Sequence, residues 1–180
     1  MFFVISWQNS FESILNKLWF IDKSLLIAEI VDILLPSLSS GKLEERDPLM
    51  ISAPRRFGKT TNLCMLLSFF SGSLDKKIFM NLKIKDSTAM EWRGKFNVIY
   101  VTFGHFYGNI RSEEDCINAC RTILHAAFRN FRYITSFLPE GDVIAFNKWC
   151  NEDSYLLKTK PEVGNGLKFL SRMCCRVRFK

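Results

Sequence analysis

Residues 53–61 read APRRFGKTT, and their types and spacing could bind a phosphate chain. The general pattern of such a loop is GxxxxGK[ST], in which backbone N–H groups wrap the phosphates and the following helix favours negative charge at its N-terminus. Here alanine replaces the first glycine, and GKT follows at the expected spacing. Because alanine adds only a methyl group, and Pro54 restricts Ala53 to the extended geometry of a strand end, the exchange is compatible with phosphate binding.

The chemistry of each side chain indicates its role in such a loop (a P-loop, or Walker A motif). Lys59 would lie over the β- and γ-phosphates as the catalytic candidate, Thr60 would give its hydroxyl to Mg²⁺, and Gly58 would let the backbone approach closely. The predicted cofactors are ATP and Mg²⁺, and the predicted nucleotide-binding residues are Ala53, Pro54, Arg55, Arg56, Phe57, Gly58, Lys59, Thr60 and Thr61. The alternative is a basic turn that begins at Pro54, precedes an ordinary helix and leaves its cations solvated.

Two apolar runs and several helical patterns surround the loop. LMISA (49–53) and FNVIYVTFG (96–104) predict buried strands. Apolar spacing and capping residues predict helices over 11–18, from Ser24 to the residue before Pro36, over 59–71, from Ser112, over 141–150 and over 163–175. Ser112 and Asp115 are spaced as a capping box. Residues 75–86 fit either a short helix with a turn or an excursion across a sheet edge. This order predicts an α/β domain with a parallel sheet.

Composition and charge narrow the class of protein. The 180 residues are 48% hydrophobic, which predicts one folded domain. The net charge of +7 favours an anionic partner, either nucleotide, nucleic acid or an acidic membrane surface, but no basic stripe marks a nucleic-acid interface. Six cysteines without paired CxxC spacing are a poor zinc pattern.

The N-terminal segment has neither a basic leader nor a cleavage site, and charges interrupt the apolar runs before they reach about 18 residues. We therefore expect no signal peptide and no membrane span. The expected location is intracellular, cytoplasmic or nuclear, with reduced thiols.

The loop resembles that of the AAA-ATPase-like family, predicted AAA-ATPases of the P-loop NTPase superfamily, whose loop typically reads RPRRFGKS. Three further stretches are similar to that family in the same order: WFIDKSLLIAEIVD (19–32), IFMNLKI (78–84) and FNVIYVTFG (96–104). The resemblance covers residues 10–105 well. It implies a three-layer P-loop fold, a parallel sheet with helices on both faces, and it places Asp22 and Lys23 near the nucleotide. The alternative for that pair is a helix-start aspartate beside a surface lysine.

The same resemblance indicates what a hydrolase would need in addition. The family carries its Walker B acid on a strand after a helix like GLKFLSRM, and no apolar run ending in Asp-Glu occurs before Lys180. We therefore expect a fold incomplete at its C-terminal side and doubtful hydrolysis by this chain. The expected domain covers 1–180, with a helical lead-in (1–46), the P-loop and first strands (47–105) and a mainly helical remainder (106–180).

Three functions of different class remain open: a fragment of an ATPase, a nucleotide-binding module without turnover, and a basic interaction module that binds a protein or nucleic acid without nucleotide. A nuclease-like domain often follows the ATPase part in the family, which would make nucleic acid a partner. An incomplete sheet would leave an open edge, which favours a protein partner or self-association. His105, after the second predicted strand, is either a functional group at a strand end or a surface histidine.

Overall fold

The computed structural model describes residues 11–17, 20–40, 49–106 and 110–177, with side chains described except at 34–40, 105, 152 and 153. The contacts divide the described residues into two compact units, one within residues 5–98 and one within residues 99–177. We call them the N-terminal and the C-terminal unit. The single domain over 1–180 stays a prediction.

The N-terminal unit is built from helices and short 3-10 turns. Helices α1 (Phe11–Leu15), α2 (Leu25–Ser40), α3 (Lys59–Ser71) and α4 (Lys76–Met80) are followed by 3-10 turns at Lys83–Asp86 and Thr88–Trp92. Apolar side chains from all of them form one buried cluster, comprising Phe11, Ile27, Val31, Met65, Phe69, Phe79, Leu82, Ile84 and Ala89. The predicted helix from Lys59 is confirmed, and this cluster fixes its orientation.

The end of α2 differs from its prediction, whereas the end of α3 agrees with its prediction. Helix α2 continues to Ser40, so its predicted end before Pro36 is wrong. A proline removes one helical hydrogen bond, and a helix can continue past it with a kink. Helix α3 ends at Ser71, and its C-cap residue, Gly72, has a φ of 68°. A Cβ on Gly72 would lie 2.9 Å from Gly94 Cα, so only glycine fits this close backbone approach.

The predicted three-layer parallel sheet of a P-loop NTPase-like α/β fold is wrong for the part of the chain that the structure describes. No strand is assigned there: residues 49–53 and 97–103 are neither helical nor part of a sheet. A β-strand forms only when it pairs with a neighbouring strand. β-branched and aromatic residues show that a segment favours strand geometry, but they do not provide the neighbouring strand. Met50 is 85% exposed, whereas a central strand would bury it. The open sheet edge that favoured a partner therefore does not exist in the described residues.

The C-terminal unit is also helical. It contains a 3-10 turn at Gly104–Phe106, α5 (Glu113–Asn130), a 3-10 segment at Arg132–Phe137, α6 (Glu140–Cys150), α7 (Glu152–Tyr155) and α8 (Lys160–Arg176). Helix α5 packs against α6 and α8 around an aromatic core centred on Phe128. The predicted capping box is confirmed: Ser112 Oγ accepts from the Asp115 N–H at 3.1 Å, and Asp115 Oδ2 accepts from the Ser112 N–H at 2.9 Å.

The start of α8 provides a pH-dependent contribution to stability. Lys158 donates to Glu162 Oε1 at 2.8 Å, and the Thr159 N–H and hydroxyl each donate to Oε2 at 2.9 Å. These contacts lower the pKa of Glu162 from 4.5 to about 2. Because the folded pKa is depressed, the stabilisation is complete above about pH 4.5 and is lost as the pH falls towards 2.

We expect Glu162→Gln to lower the free energy of unfolding by about 0.5–1 kcal/mol at pH 7, a value reduced for the solvent exposure of the carboxylate. Urea unfolding of both chains at pH 7, 4.5 and 3 measures the difference, which should shrink at the lowest pH. Glu140→Gln is the control: it also removes one negative charge from the first turn of a helix, in this case α6. If the difference in the free energy of unfolding were the same at all three pH values, the lowered pKa of Glu162 would not be its cause.

Candidate functional site

Two residues of the predicted phosphate loop have a left-handed φ. Arg56 has a φ of 67° and Gly58 a φ of 79°, whereas Phe57 between them has a negative φ. In phosphate-binding nests, left-handed residues next to right-handed ones turn successive N–H groups towards one concave side; here two positive-φ residues flank Phe57. A left-handed conformation costs an arginine roughly 1 kcal/mol. The loop therefore keeps a strained geometry immediately before α3.

The N-terminus of α3 adds unsatisfied donors to this loop. Gly58 is the N-cap residue and has no side-chain cap. The first helical hydrogen bond runs from the Asn62 N–H to Gly58 O at 2.8 Å. The amides of residues 59–61 thus have no partner within the helix, and the helix dipole makes this end favourable for an anion.

Lys59 folds back over the loop. Its ammonium donates to Ala53 O and, at 2.7 Å, to Pro54 O. These contacts join the first residues of α3 to the beginning of the loop and hold the ammonium against the 53–58 turn. Lys59 and Thr60 are both exposed at the first turn of α3, where a ligand could reach them.

Lys23 also reaches the loop. Its Nζ donates to Phe57 O at 3.0 Å, across 34 residues of sequence. Asp22 contacts other residues: its Oδ2 accepts from the Lys83 N–H at 2.7 Å and its Oδ1 from the Ser24 N–H at 2.8 Å. The structure thus brings Lys23 to the loop and Asp22 to the 3-10 turn at Lys83–Asp86. Nucleotide contact by either residue stays a prediction.

The carboxylate of Asp22 is held in its charged form. Partial burial acts to raise the pKa of Asp22, but the hydrogen bonds from the backbones of Ser24 and Lys83 outweigh burial, and the net pKa lies below its ordinary value of 3.8. Both oxygens are therefore already engaged as acceptors at neutral pH.

Positive charge dominates the loop. Lys23, Arg55, Arg56 and Lys59 are exposed, and none of the four takes part in the ion pairs seen among the described side chains. Cations without a carboxylate partner attract a multiply charged anion. The arrangement can therefore bind an anion through backbone amides and ammonium groups together.

One anchoring residue had a different predicted role. Ser24 was expected to cap α2, but its hydroxyl accepts from the Ile84 N–H at 3.1 Å and the residue is fully buried. Lys83 and Ile84 lie in IFMNLKI, one of the stretches that resemble the family, although the sequence assigned them no contact. The hydrogen bond between Ser24 and Ile84 joins residues that are 60 positions apart, so only the tertiary structure shows it.

The remaining sequence candidates lie elsewhere. His105 is in the 3-10 turn at Gly104–Phe106, and its side chain is outside the described residues. Among the described side chains, no group of three His, Cys, Asp or Glu could hold a metal ion. Burial, with Cys175 adding to it, raises the pKa of Cys174 to about 12, so this thiol stays protonated at neutral pH.

An open cleft of about 440 Å³ between α6 and α8 was not foreseen from the sequence. It is lined by residues such as Ile144, Trp149, Asn165 and Phe169, and by none of the predicted site residues. Across the described part of the chain, no helix combines the length and the apolar character needed to cross a membrane.

Comparison with known proteins identifies the family. The sequence model of the family described as Predicted AAA-ATPase (AAA-ATPase-like) matches residues 7–152, well over half of the chain. This range includes Asp22, Lys23 and the whole of the 53–61 loop. No curated protein and no solved structure matches the chain. The match nevertheless spans most of the N-terminal unit and continues into the C-terminal unit as far as residue 152, and the chain belongs to the Predicted AAA-ATPase family.

Proposed function

We propose that the chain binds ATP with Mg²⁺ through residues 53–61. The observation that carries this proposal is the alternating φ of Arg56, Phe57 and Gly58 directly before the uncapped N-terminus of α3, with the ammonium of Lys59 folded over the same turn. Membership of a family of predicted ATPases supports the choice of nucleotide among anions.

The phosphate chain would take the place of weaker contacts. Lys59 bonds to two neutral carbonyl oxygens, and charge-assisted hydrogen bonds to phosphate oxygens are about twice as strong as neutral ones. The amides of residues 59–61 would donate to the β-phosphate from the helix end. Arg55 and Arg56, which are exposed beside the turn, would increase the positive potential that attracts the nucleotide.

The residues present fit a magnesium ion that is shared with the nucleotide. Mg²⁺ prefers oxygen ligands and keeps several waters, and in phosphate loops it relies on one hydroxyl and the phosphate oxygens. Thr60 offers an exposed hydroxyl in the first turn of α3. When bound, the ion would neutralise charge on the phosphate oxygens; the chain's own contribution is the Thr60 hydroxyl and the orientation of the phosphates.

The proposal is restricted to binding. Hydrolysis needs a carboxylate that holds the metal shell or orients water, and the nearby carboxylate of Asp22 already accepts two backbone hydrogen bonds. ATP turnover would therefore require an acid other than Asp22.

A ligand series tests the proposal. The purified chain is titrated with a fluorescent ATP analogue and Mg²⁺, and the analogue is competed with ATP, ADP, AMP, adenosine and tripolyphosphate, while phosphate release is followed in the same samples. If the loop reads the phosphate chain, ATP and tripolyphosphate compete best and adenosine least. Absence of saturable binding, or equal competition by adenosine and ATP, would leave a basic interaction module and overturn the proposal.

A threonine pair tests the metal contact in the same assay. Thr60→Val removes the proposed Mg²⁺ hydroxyl, and Thr61→Val removes the neighbouring hydroxyl as a matched control. We expect the gain in affinity on adding Mg²⁺ to be reduced in Thr60→Val and retained in Thr61→Val. Equal gains in both variants would exclude Thr60 as a magnesium ligand.

A further inference from the structure

Three consecutive residues before α2 connect two distant parts of the N-terminal unit. Asp22 and Ser24 accept hydrogen bonds from the N–H groups of Lys83 and Ile84, at 2.7 and 3.1 Å. These are the first two residues of a 3-10 turn, whose opening N–H groups lack partners within the turn. Asp22 and Ser24 therefore cap that turn from about 60 residues away.

This anchor is rigid because it lies against the core. Ser24, Ile27 and Ile84 are fully buried. The Asp22 Oδ1 contact with the Ser24 N–H closes a local turn around Lys23. With both neighbours held, the backbone of Lys23 is fixed and its side chain extends to Phe57 O at 3.0 Å.

The contact at Phe57 O determines the direction of the next amide. In a trans peptide the C=O and the following N–H point in opposite directions, and no cis peptide occurs in the described chain. When Lys23 holds the Phe57 carbonyl on one side, the Gly58 N–H points to the other side. Gly58, with a φ of 79°, is the residue at which the alternating turn meets α3.

We propose that Lys23 is a positioning residue, which orients the Phe57–Gly58 peptide so that the Gly58 N–H faces the bound phosphate chain, while Asp22 and Ser24 hold Lys23 in place. This inference rests on the proposed nucleotide binding at residues 53–61. It separates the roles of the Asp22–Lys23 pair: the carboxylate anchors the segment, and the ammonium acts on the loop through a carbonyl rather than on the phosphates directly.

The first test needs no ligand. In ¹⁵N–¹H spectra of the full chain, Lys23→Met should shift the Gly58 amide signal, because its peptide loses the donor at Phe57 O. Lys23→Arg retains a donor and should return the signal towards its original position. Lys76→Met, a matched loss of an exposed charge in α4, should leave the Gly58 signal unchanged. An unmoved signal in Lys23→Met would overturn the positioning role.

The second test measures affinity for Mg²⁺ and ATP with the same variants. We expect a three- to tenfold loss in Lys23→Met, about the effect of one hydrogen bond, and recovery of most of it in Lys23→Arg. ATP binding that is unchanged in Lys23→Met would overturn the inference and leave the proposed function intact. No ATP binding by the unaltered chain would overturn the proposed function and the phosphate-facing role of Gly58, while the ligand-free spectra still decide whether Lys23 orients the peptide.

Discussion

Replacing Lys59 by alanine is expected to lower the affinity for Mg²⁺ and ATP by about tenfold to a hundredfold. The ammonium would donate charge-assisted hydrogen bonds to phosphate oxygens, and such bonds contribute about 1.5–3 kcal/mol each. The substitution also removes the contacts with Ala53 O and Pro54 O that join α3 to the start of the loop. The lost phosphate bonds act on the bound state, whereas the carbonyl contacts belong to the free chain, where this exposed side chain contributes little to the core.

Isothermal titration calorimetry of three variants measures this effect. Lys76→Ala removes a comparable exposed charge from α4, outside residues 53–61, and should bind as the unaltered chain does. Lys59→Arg keeps the charge but changes the donor geometry, so we expect intermediate affinity. Similar affinities for Lys59→Ala and Lys76→Ala would show that net charge alone attracts the nucleotide, and the specific role of Lys59 would be abandoned.

Truncation of Phe128 to alanine is expected to destabilise the C-terminal unit by about 3–5 kcal/mol. The ring is fully buried on α5. It stacks on Trp149 at a centroid distance of 5.1 Å and also contacts the rings of Phe146 and Phe169, at 4.9 and 5.9 Å. One side chain thus contacts both α6 and α8, and its removal leaves a cavity that three helices would have to close.

Urea unfolding followed by far-UV circular dichroism measures the loss. The matched control is Phe137→Ala, since Phe137 is 70% exposed in the 3-10 segment Arg132–Phe137. We expect that control to change the free energy of unfolding by less than about 0.5 kcal/mol. If Phe128→Ala and Phe137→Ala lowered the free energy of unfolding equally, Phe128 would not be the centre of the C-terminal core.

The helices could be predicted largely from local sequence. The Ser112–Asp115 capping box, the apolar spacing of α5 and the start of α3 at Lys59 all depend on residues within one or two turns of each other. The same local signals failed at Pro36, where α2 continues. The strands failed for a different reason: LMISA and FNVIYVTFG have strand-forming composition, but pairing requires a neighbour that composition does not provide.

By itself, the sequence determined the loop, the order of its residues and the family to which the chain belongs. GKT at its spacing after APRRF is a contiguous pattern, and a contiguous pattern requires no tertiary information. Only the tertiary structure decided which distant groups support that loop. The hydrogen bond of Lys23 to Phe57 O, and those of Asp22 and Ser24 to the 3-10 turn at Lys83–Asp86, join segments 34 to 61 residues apart. Such contacts arise from the packing of helices around a common core, which no local pattern in the chain encodes.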